Sequence, residues 1–400
     1  LRGTEIGWSR GREVPVEEYD RLYKEFNPDQ FNASDWVALA KNAGFRYLIL
    51  TAKHHDGFSL WHTQQSSYSI ENTPFGRDVV RELAEACTTA GIAFGTYYSL
   101  CDWHDPDYPL GSPGGKSRKP SPNMDRFDAQ LRAQLTELMG FGLFCLWFDG
   151  EWESPWTHHR GVSLNNWLHS RYPNLIINNR VGKGRQGMGG LSDPALHPGD
   201  FWTPEQEVGT FHRDFPWESC ITIGRQWSWK PGDQLKSADD CLDILVDTVC
   251  GDGNLLLNVG PMPDGRIEPR QVETLLKFGD FVKRHAEAIY GTRGGPFKPG
   301  AWGGSTCRDQ EIFLFLRQPG NGASVRFPEL AARVIEATGF DGHPVSFQQT
   351  GSGLTIPSTP PRDGERFRVI RLRIDRPALG IEPIAVPPPA GADRPHSPKP

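Results

Sequence analysis

Residues 124–150 read MDRFDAQLRAQLTELMGFGLFCLWFDG, and this stretch contains one complete unit of the predicted fold. An amphipathic helix is predicted over about 124–139, and Gly140 closes it. A strand is predicted over 141–148, where nearly every side chain is apolar. Helix, glycine and short apolar strand, repeated along a chain, build a parallel sheet that helices cover.

The same unit recurs on both sides of this stretch. One helix is predicted to start near Ser34, as its N-cap, and to end at Gly44, where a left-handed residue can stop it. Others are predicted over 78–90, 162–172, 238–249 and 269–288. The predicted strands cover residues 45–51, 92–99, 141–148, 175–179, 200–203, 220–223 and 254–259. This alternation predicts an α/β fold of the (β/α)8-barrel type.

A barrel of this type needs eight strands to leave no open edge, and only seven are predicted here. Residues 1–30 contain no apolar run of strand length. We therefore expect the first strand to be missing from this sequence or replaced by an atypical element. The barrel wall should then have a gap beside strand 45–51.

The pattern changes after Gly294, and 400 residues exceed the usual size of one hydrophobic core. We predict an N-terminally incomplete catalytic barrel over 1–295 and a small antiparallel β-sandwich over 296–382. A Pro-rich, disordered tail is predicted over 383–400. The strand-like runs assigned to the sandwich are 312–316, 332–335 and 367–372.

Composition narrows the class of ligand. The net charge is −6 and the basic residues are scattered, which argues against nucleic acid or an anionic membrane as partner. The 13 Trp suit the flat apolar faces of sugar rings, although an aromatic-rich core would need them equally. The seven cysteines lie mostly in apolar runs, which predicts buried thiols. A neutral or small polar ligand is expected.

Neither a signal peptide nor an apolar run of membrane-spanning length is present. The sequence begins with Leu1 rather than Met, so its natural start, including any signal peptide, can lie upstream. Localisation is therefore not determined by the residues themselves.

Polar residues directly after apolar strands are the first candidates for chemistry, because barrel active sites lie at the C-terminal ends of the strands. His54 and His55 follow strand 45–51. Adjacent residues of a regular strand face opposite ways, which argues against one shared metal unless the chain bends there. Hydrogen bonding to sugar hydroxyls fits the pair better, and a structural role is the alternative.

Two carboxylates follow other strands. Asp149 ends the central stretch, with Trp147 on the same face, and this pair suggests a nucleophile with an aromatic wall; a simple turn residue is the alternative. Glu205 follows strand 200–203, and Glu207 shares its face. A surface glutamate is the plain alternative for Glu205. Glycoside hydrolysis needs two carboxylates flanking the scissile bond, which favours pairing Glu205 with Asp149.

Together these runs resemble glycoside hydrolase family 29, the α-L-fucosidases, over roughly residues 20–295. The runs that carry the resemblance, in the order of that family, are 31–36, 53–58, Asp102-Trp103, 147–150, 202–205, 217–220 and 254–261. The resemblance implies removal of terminal α-L-fucose from fucosylated oligosaccharides or glycoconjugates with retention, without cofactor or metal. It also implies a periplasmic or secreted protein. Asp149 is implied as the nucleophile, and the residues implied to line the fucose pocket are His54, His55, Tyr97, Trp147, Arg180 and Trp229.

The acid/base is the more difficult assignment, because Glu205, Glu207 and Glu218 compete. We choose Glu205, which directly follows its strand, whereas Glu218 precedes strand 220–223 and should lie at the opposite end of the barrel. In a retaining enzyme the carboxyls of Asp149 and Glu205 should be about 5–5.5 Å apart.

Two other functions stay open on these residues. One is a metal-dependent barrel hydrolase or isomerase that uses His54, His55 and carboxylates. The other is a non-catalytic carbohydrate-binding protein, which the missing strand favours. Linkage preference and any homo-oligomer are not determined by the sequence.

Overall fold

The computed structural model of this chain describes residues 7–115, 117–317, 324–357 and 365–387. The chain forms two compact units. The first contains residues 1–203, 224–235 and 258–273, and the second contains 204–223, 236–257 and 274–400. The boundaries between these units differ from the predicted domain boundary at 295/296, so that boundary stays a prediction.

The helices follow the predicted order, with their ends set by capping. Asn32, not Ser34, is the N-cap of the first long helix, because its side chain accepts from the backbone N–H of Ser34 and Asp35. No helix of the described residues is long and apolar enough to cross a membrane. The α-helices are α1 (Val16–Tyr19), α2 (Ala33–Asn42), α3 (Val79–Ala90), α4 (Met124–Met139), α5 (His158–Arg171), α6 (Ala238–Cys250), α7 (Pro269–Arg284) and α8 (Ala286–Ile289).

The strands fall into parallel and antiparallel groups along the chain, as predicted. Those up to residue 258 are β1 (Tyr47–Lys53), β2 (Ala93–Ser99), β3 (Cys145–Asp149), β4 (Ile176–Ile177), β5 (Glu218–Thr222) and β6 (Asn254–Asn258). The later ones are β7 (Arg293–Gly294), β8 (Gly303–Arg308), β9 (Glu311–Arg317), β10 (Val325–Phe327), β11 (Val334–Gly339), β12 (Gln348–Thr350), β13 (Gly353–Ile356) and β14 (Phe367–Ile374).

A four-stranded parallel sheet with the order β1-β2-β3-β4 forms the centre of the first unit. In its register Tyr97 lies beside Trp147, and Ser99 lies beside Asp149. The strand β1 is an end strand of this sheet. Because all four strands are parallel, their C-terminal residues meet at one edge, where barrel enzymes place their active sites.

The predicted strand 200–203 is reduced to isolated bridges. Phe201 pairs in parallel with Asn178, just after β4. In the second unit Glu205 pairs in parallel with Cys220, and β5 pairs with β6. The described residues up to 258 thus contain six strands and one bridged segment, at the seven places that the sequence predicted.

The cores of both units are apolar, and the cysteines belong to them. In the first unit apolar side chains from β1–β4 pack against α2, α3, α4 and α5. All seven cysteines are buried free thiols, as predicted; they are Cys87, Cys101, Cys145, Cys220, Cys241, Cys250 and Cys307. Burial raises the pKa of the Cys87 thiol to about 11, so this group stays protonated and packs as a small apolar side chain.

The C-terminal part is the predicted β-sandwich. A five-stranded antiparallel sheet has the order β11-β14-β9-β8-β7, and a three-stranded one has the order β10-β13-β12. Ile384 exchanges backbone hydrogen bonds with the segment around Phe297. The predicted tail 383–400 is therefore wrong at its start, where the chain is still paired; residues 388–400 lie outside the described residues.

Candidate active site

Asp149 ends β3 with both carboxylate oxygens held by side chains of the first unit. Arg180 Nη1 donates to its Oδ1 over 2.9 Å, and the hydroxyl of Tyr97 donates to its Oδ2 over 2.8 Å. The residue is buried, with 8% of its surface exposed. Gly150 follows with a φ of +95°, and a Cβ there would lie 2.4 Å from the Cys101 sulphur, so only glycine fits this turn.

The charge of Asp149 is stabilised against its burial. Burial by itself would raise the pKa of this carboxyl, but the nearby Arg180, His55 and the two hydrogen bonds outweigh it and hold the pKa below its ordinary value. Asp149 is therefore an ionised carboxylate at neutral pH. An ionised, buried carboxylate at a strand end is suited to nucleophilic attack.

Arg180 links this carboxylate with the next segment of chain. It lies in a turn of 3₁₀ helix, Asn179–Val181, directly after β4. Its Nε donates to Thr203 Oγ1 over 2.9 Å, and Thr203 Oγ1 donates to Asn179 Oδ1 over 3.0 Å. The guanidinium also lies over the Trp147 ring, 4.4 Å from its centroid. A cation fixed by so many contacts keeps Asp149 oriented.

We expect Arg180→Met to move the acidic limb of the pH profile of kcat/KM to higher pH. Without the guanidinium, burial dominates and the pKa of Asp149 rises, so a higher pH is needed to ionise this carboxyl. The profile is measured with an aryl α-L-fucoside, the substrate that the resemblance to family 29 implies. Arg160→Met is the control, because Arg160 pairs with Asp125 and Asp128 instead. An acidic limb at the same pH in both variants would contradict this role.

His55 lies close to the Asp149 carboxylate, and its imidazole is neutral. Its Nδ1 is 2.6 Å from Ser99 Oγ, and that hydroxyl donates its own proton to the Cys101 carbonyl. Nδ1 must therefore carry the ring proton. Burial lowers the pKa of His55 to about 4, so Nε2, 3.8 Å from Asp149 Oδ2, is an acceptor at neutral pH. A sugar hydroxyl could donate to it.

The two histidines lie together because the chain leaves the strand at Lys53. Their ring centroids are 4.1 Å apart, and His54 stacks on Tyr97 with an interplanar angle of 6°. His54 Nδ1 is buried and has no hydrogen-bond partner among the described residues. Burial lowers the pKa of His54 well below its ordinary value. The described residues contain no group of three or more His, Cys, Asp or Glu side chains that could hold a metal ion.

A buried ion pair between Lys53 and Asp102 supports the backbone that carries the two histidines. Lys53 Nζ donates to Asp102 Oδ2 over 3.0 Å and to Gln134 Oε1 over 3.3 Å, and it lies 4.3 Å from the Tyr98 ring centroid. Asp102 also accepts from the backbone N–H of Asp105. The pair ties the end of β1 to the loop after β2, which fixes the backbone that carries the histidines.

Asp56, next in the chain, is buried, and Tyr19 donates to it over 2.8 Å. No cation of the described residues is in hydrogen-bonding contact with it. Burial raises the pKa of Asp56 from 3.8 to about 6. Its folded pKa is thus above the unfolded one, so its favourable contribution to stability is complete below pH ~4 and is lost as the pH rises through about 6.

Replacing Asp56 with Asn should therefore stabilise the protein more at pH 7.5 than at pH 4. The free energy of unfolding of the variant, relative to that of the natural protein, should increase by about 3 kcal/mol from pH 4 to pH 7.5, because each unit of pKa shift is worth about 1.4 kcal/mol. Urea unfolding at both pH values measures it. A difference between the two proteins that does not change with pH would contradict the burial of an ionisable Asp56.

Sequence reasoning missed Glu151, which lies just beyond the nucleophile candidate. It is buried; Arg185 Nε donates to its Oε1 over 2.9 Å, and its Oε2 has no hydrogen-bond partner among the described residues. Burial and the charge of Asp149 raise its pKa. Its place directly after Asp149-Gly150 was the only sequence signal, and that signal does not separate it from a surface turn.

Six of the eight predicted site residues lie together in the first unit: Asp149, His54, His55, Tyr97, Trp147 and Arg180. Trp229 is in the same unit, but its indole N–H donates to Glu268 over 3.1 Å, and no contact among the described residues links it with Asp149. Its predicted role in the fucose pocket gains no support from this placement.

The three acid/base candidates lie in the second unit. Glu205 is half-buried in its bridge with Cys220, whereas Glu207 is exposed. Glu218 is the first residue of β5 and accepts from Asn254, the first residue of β6. The N-terminal ends of barrel strands are the side that serves stability, so this position disfavours Glu218 as a catalytic group.

A buried carboxylate fixed by an arginine and a tyrosine, with neutral histidines and aromatic rings around it, fits a barrel enzyme that acts on carbohydrate. The family model of α-L-fucosidase matches residues 11–287. The chain belongs to the α-L-fucosidase family and is a glycoside hydrolase. It is 26% identical to an α-L-fucosidase of Dictyostelium discoideum over 86% of this chain and 77% of that protein. It is 32% identical to one of Branchiostoma floridae over 67% of this chain and 59% of that protein.

Solved structures agree with this assignment. α-L-Fucosidase isoenzyme 1 from Paenibacillus thiaminolyticus superposes with a TM-score of 0.83 at 29% identity, covering 94% of both chains. A family 29 enzyme from Bacteroides thetaiotaomicron, trapped as a covalent intermediate with 2-fluoro-fucosyl fluoride, gives 0.81 at 26% identity over 94% and 90% of the two chains. The fold class, a (β/α)8-type barrel followed by a β-sandwich, is confirmed.

Proposed function

We propose that this enzyme removes terminal α-L-fucose from fucosylated oligosaccharides or glycoconjugates by double displacement. The observation that carries the proposal is the buried, ionised Asp149, fixed on one oxygen by Arg180 and on the other by Tyr97. A nucleophile that forms a glycosyl ester must be ionised and must not rotate away from the anomeric carbon. Both requirements are met by these two contacts.

In the first step an oxygen of Asp149 attacks the anomeric carbon of fucose while the leaving oxygen takes a proton from Glu205. In the second step the same glutamate, now a carboxylate, removes a proton from water, which attacks the anomeric carbon and releases fucose with its original configuration. Arg180 stabilises the nucleophile before attack and after release. Burial keeps bulk water away from the ester until the second step.

Glu205 remains our choice for the acid/base. It follows the predicted strand 200–203 closely in the sequence, as the polar residues of barrel active sites do. Glu151 is now the strongest competitor, because its raised pKa is the property that a general acid needs. Its bond with Arg185, however, favours the ionised form.

The polar groups around the nucleophile suit the hydroxyls of fucose. His55 Nε2 can accept a hydroxyl proton, and the stacked rings of His54, Tyr97 and Trp147 offer apolar surface to a deoxysugar with a methyl group. The negative net charge gives no reason to expect nucleic acid or a membrane as partner.

The purified enzyme should hydrolyse a chromogenic aryl α-L-fucoside and should do so equally well in the presence of EDTA. The matched control substrates are the aryl α-L-rhamnoside, which differs from it in hydroxyl configuration, and the aryl β-L-fucoside, which differs from it only at the anomeric carbon. We expect kcat/KM for either control to be lower by a factor of about 10³ or more, because unpaired polar groups are costly in a buried site. Loss of activity with EDTA would favour a metal-dependent hydrolase, and turnover of none of the three would overturn the proposed function.

A further inference from the structure

The loop after β3 holds one large apolar side chain out in the solvent. Trp152 is 43% exposed, whereas its neighbours Glu151 and Glu153 are 4% and 8% exposed. Both neighbours are anchored: Arg185 donates to Glu151 over 2.9 Å, and Trp103 Nε1 donates to Glu153 over 3.0 Å. With the residues on both sides fixed inward, the side chain between them is directed outward.

Further bonds keep this loop rigid. Tyr108 donates its hydroxyl proton to Glu153, and Lys183 Nζ donates to the Glu153 carbonyl over 2.8 Å. At the start of the loop Gly150 packs directly against Cys101. Because this loop is already ordered, it loses little conformational entropy when a ligand binds to it.

Trp152 also stands beside the reacting groups. Its ring centroid is 5.3 Å from that of His55, and the two rings are nearly perpendicular. His55 Nε2 is in turn 3.8 Å from Asp149 Oδ2. The inner aromatic surface near the carboxylate is supplied by Tyr97 and Trp147, which stack on each other. Trp152 is thus separated from the Asp149 carboxylate by the ring of His55, which contacts both.

We infer that the indole of Trp152 is the platform on which the sugar that carries the fucose stacks. This inference rests on the proposed fucosidase function and assigns the subsite that receives the leaving group. An aglycone sugar presents a flat face of C–H groups, and a preformed, partly exposed indole on a fixed loop matches that face. Trp152 thus makes the enzyme prefer fucose linked to another sugar over fucose linked to a small leaving group.

The test compares two substrates that differ only in the leaving group. The leaving group of α-L-fucosyl fluoride has no ring to stack, whereas the leaving group of a fucosyl disaccharide is a sugar ring. The disaccharide is the one, ending in galactose or in N-acetylglucosamine, that the natural enzyme hydrolyses faster. We expect Trp152→Ala to lower the ratio of kcat/KM for the disaccharide to kcat/KM for the fluoride about tenfold or more, as for a buried aromatic contact. Trp152→Phe should restore most of this ratio, because it restores a flat ring.

Ile176→Ala is the matched control, since Ile176 is 42% exposed but begins β4, at the opposite end of the strands from Asp149. This variant should keep the natural ratio. An unchanged ratio in Trp152→Ala, whether both activities persist or both fall in parallel, would overturn the inference while leaving the proposed function intact. A natural enzyme that hydrolyses neither substrate would instead overturn the proposed function and the inference with it.

Discussion

Replacing Asp149 with Gly is expected to lower kcat for an aryl α-L-fucoside by about 10⁴-fold or more, because no covalent intermediate can then form. Binding of fucose should stay measurable, since Arg180, Tyr97 and His55 remain in place. No other single substitution should lower turnover as much. The loss is measured by steady-state kinetics together with fucose binding by calorimetry.

Azide provides the control for this variant. In the space vacated by the carboxylate, azide should attack the anomeric carbon from the nucleophile's side and give β-L-fucosyl azide, the inverted product. Recovery of activity with this product would exclude a misfolded variant. Near-normal turnover without azide would rule out Asp149 as the nucleophile.

Replacing Glu205 with Ala should give the second largest effect, a loss of about 10²- to 10⁴-fold that depends on the leaving group. Substrates with sugar leaving groups need protonation of the leaving oxygen and should lose most. Aryl fucosides with acidic phenols need none, so their first step should be nearly preserved. Azide should now give α-L-fucosyl azide, the retained product, because it attacks the fucosyl ester of Asp149.

Three parallel variants decide between the acid/base candidates: Glu151→Ala, Glu207→Ala and Glu218→Ala. We expect none of them to show both the leaving-group dependence and the retained azide product. If Glu151→Ala shows both and Glu205→Ala shows neither, the buried glutamate beside Arg185 is the acid/base, and our assignment is wrong.

The parts of the site that could be predicted are those fixed by strand geometry. Asp149, Tyr97 and Arg180 lie at or near the ends of apolar strands, and parallel pairing necessarily brings such ends to one edge. Asn178 shows how local this control is: its side chain bonds both the N–H and the carbonyl of Phe148, which holds the end of β4 against β3. The positions of these site residues can therefore be predicted mainly from short apolar strands and the glycines that flank them.

The parts that could not be predicted depend on single long-range contacts. Glu151 is held inside by Arg185, which lies 34 residues further along the chain, in an irregular segment beyond α5 and β4. Trp229 lies in a loop, where its indole N–H donates to Glu268, and no periodicity of the sequence predicts that bond. The weak strand 200–203 consists of isolated bridges, because its run of apolar residues is too short for a regular ladder.

The ends of the helices were likewise predictable at some positions and not at others. The predicted helix over 124–139 is correct because apolar periodicity and a closing glycine both mark its ends. The predicted N-cap of α2 is Ser34 and the observed one is Asn32, since both residue types are good caps and only the structure shows that Asn32 accepts the two N–H groups.

The most direct test of the proposed mechanism is to trap the covalent intermediate and locate it. The natural enzyme is incubated with 2-deoxy-2-fluoro-α-L-fucosyl fluoride, whose fluorine slows the second step, then digested and examined by mass spectrometry. The mechanism predicts time-dependent inactivation and a fluorofucosyl group on the carboxyl of Asp149. A label on Glu151 or Glu205, or unlabelled enzyme that releases fucose with inverted configuration from an aryl fucoside, would contradict it.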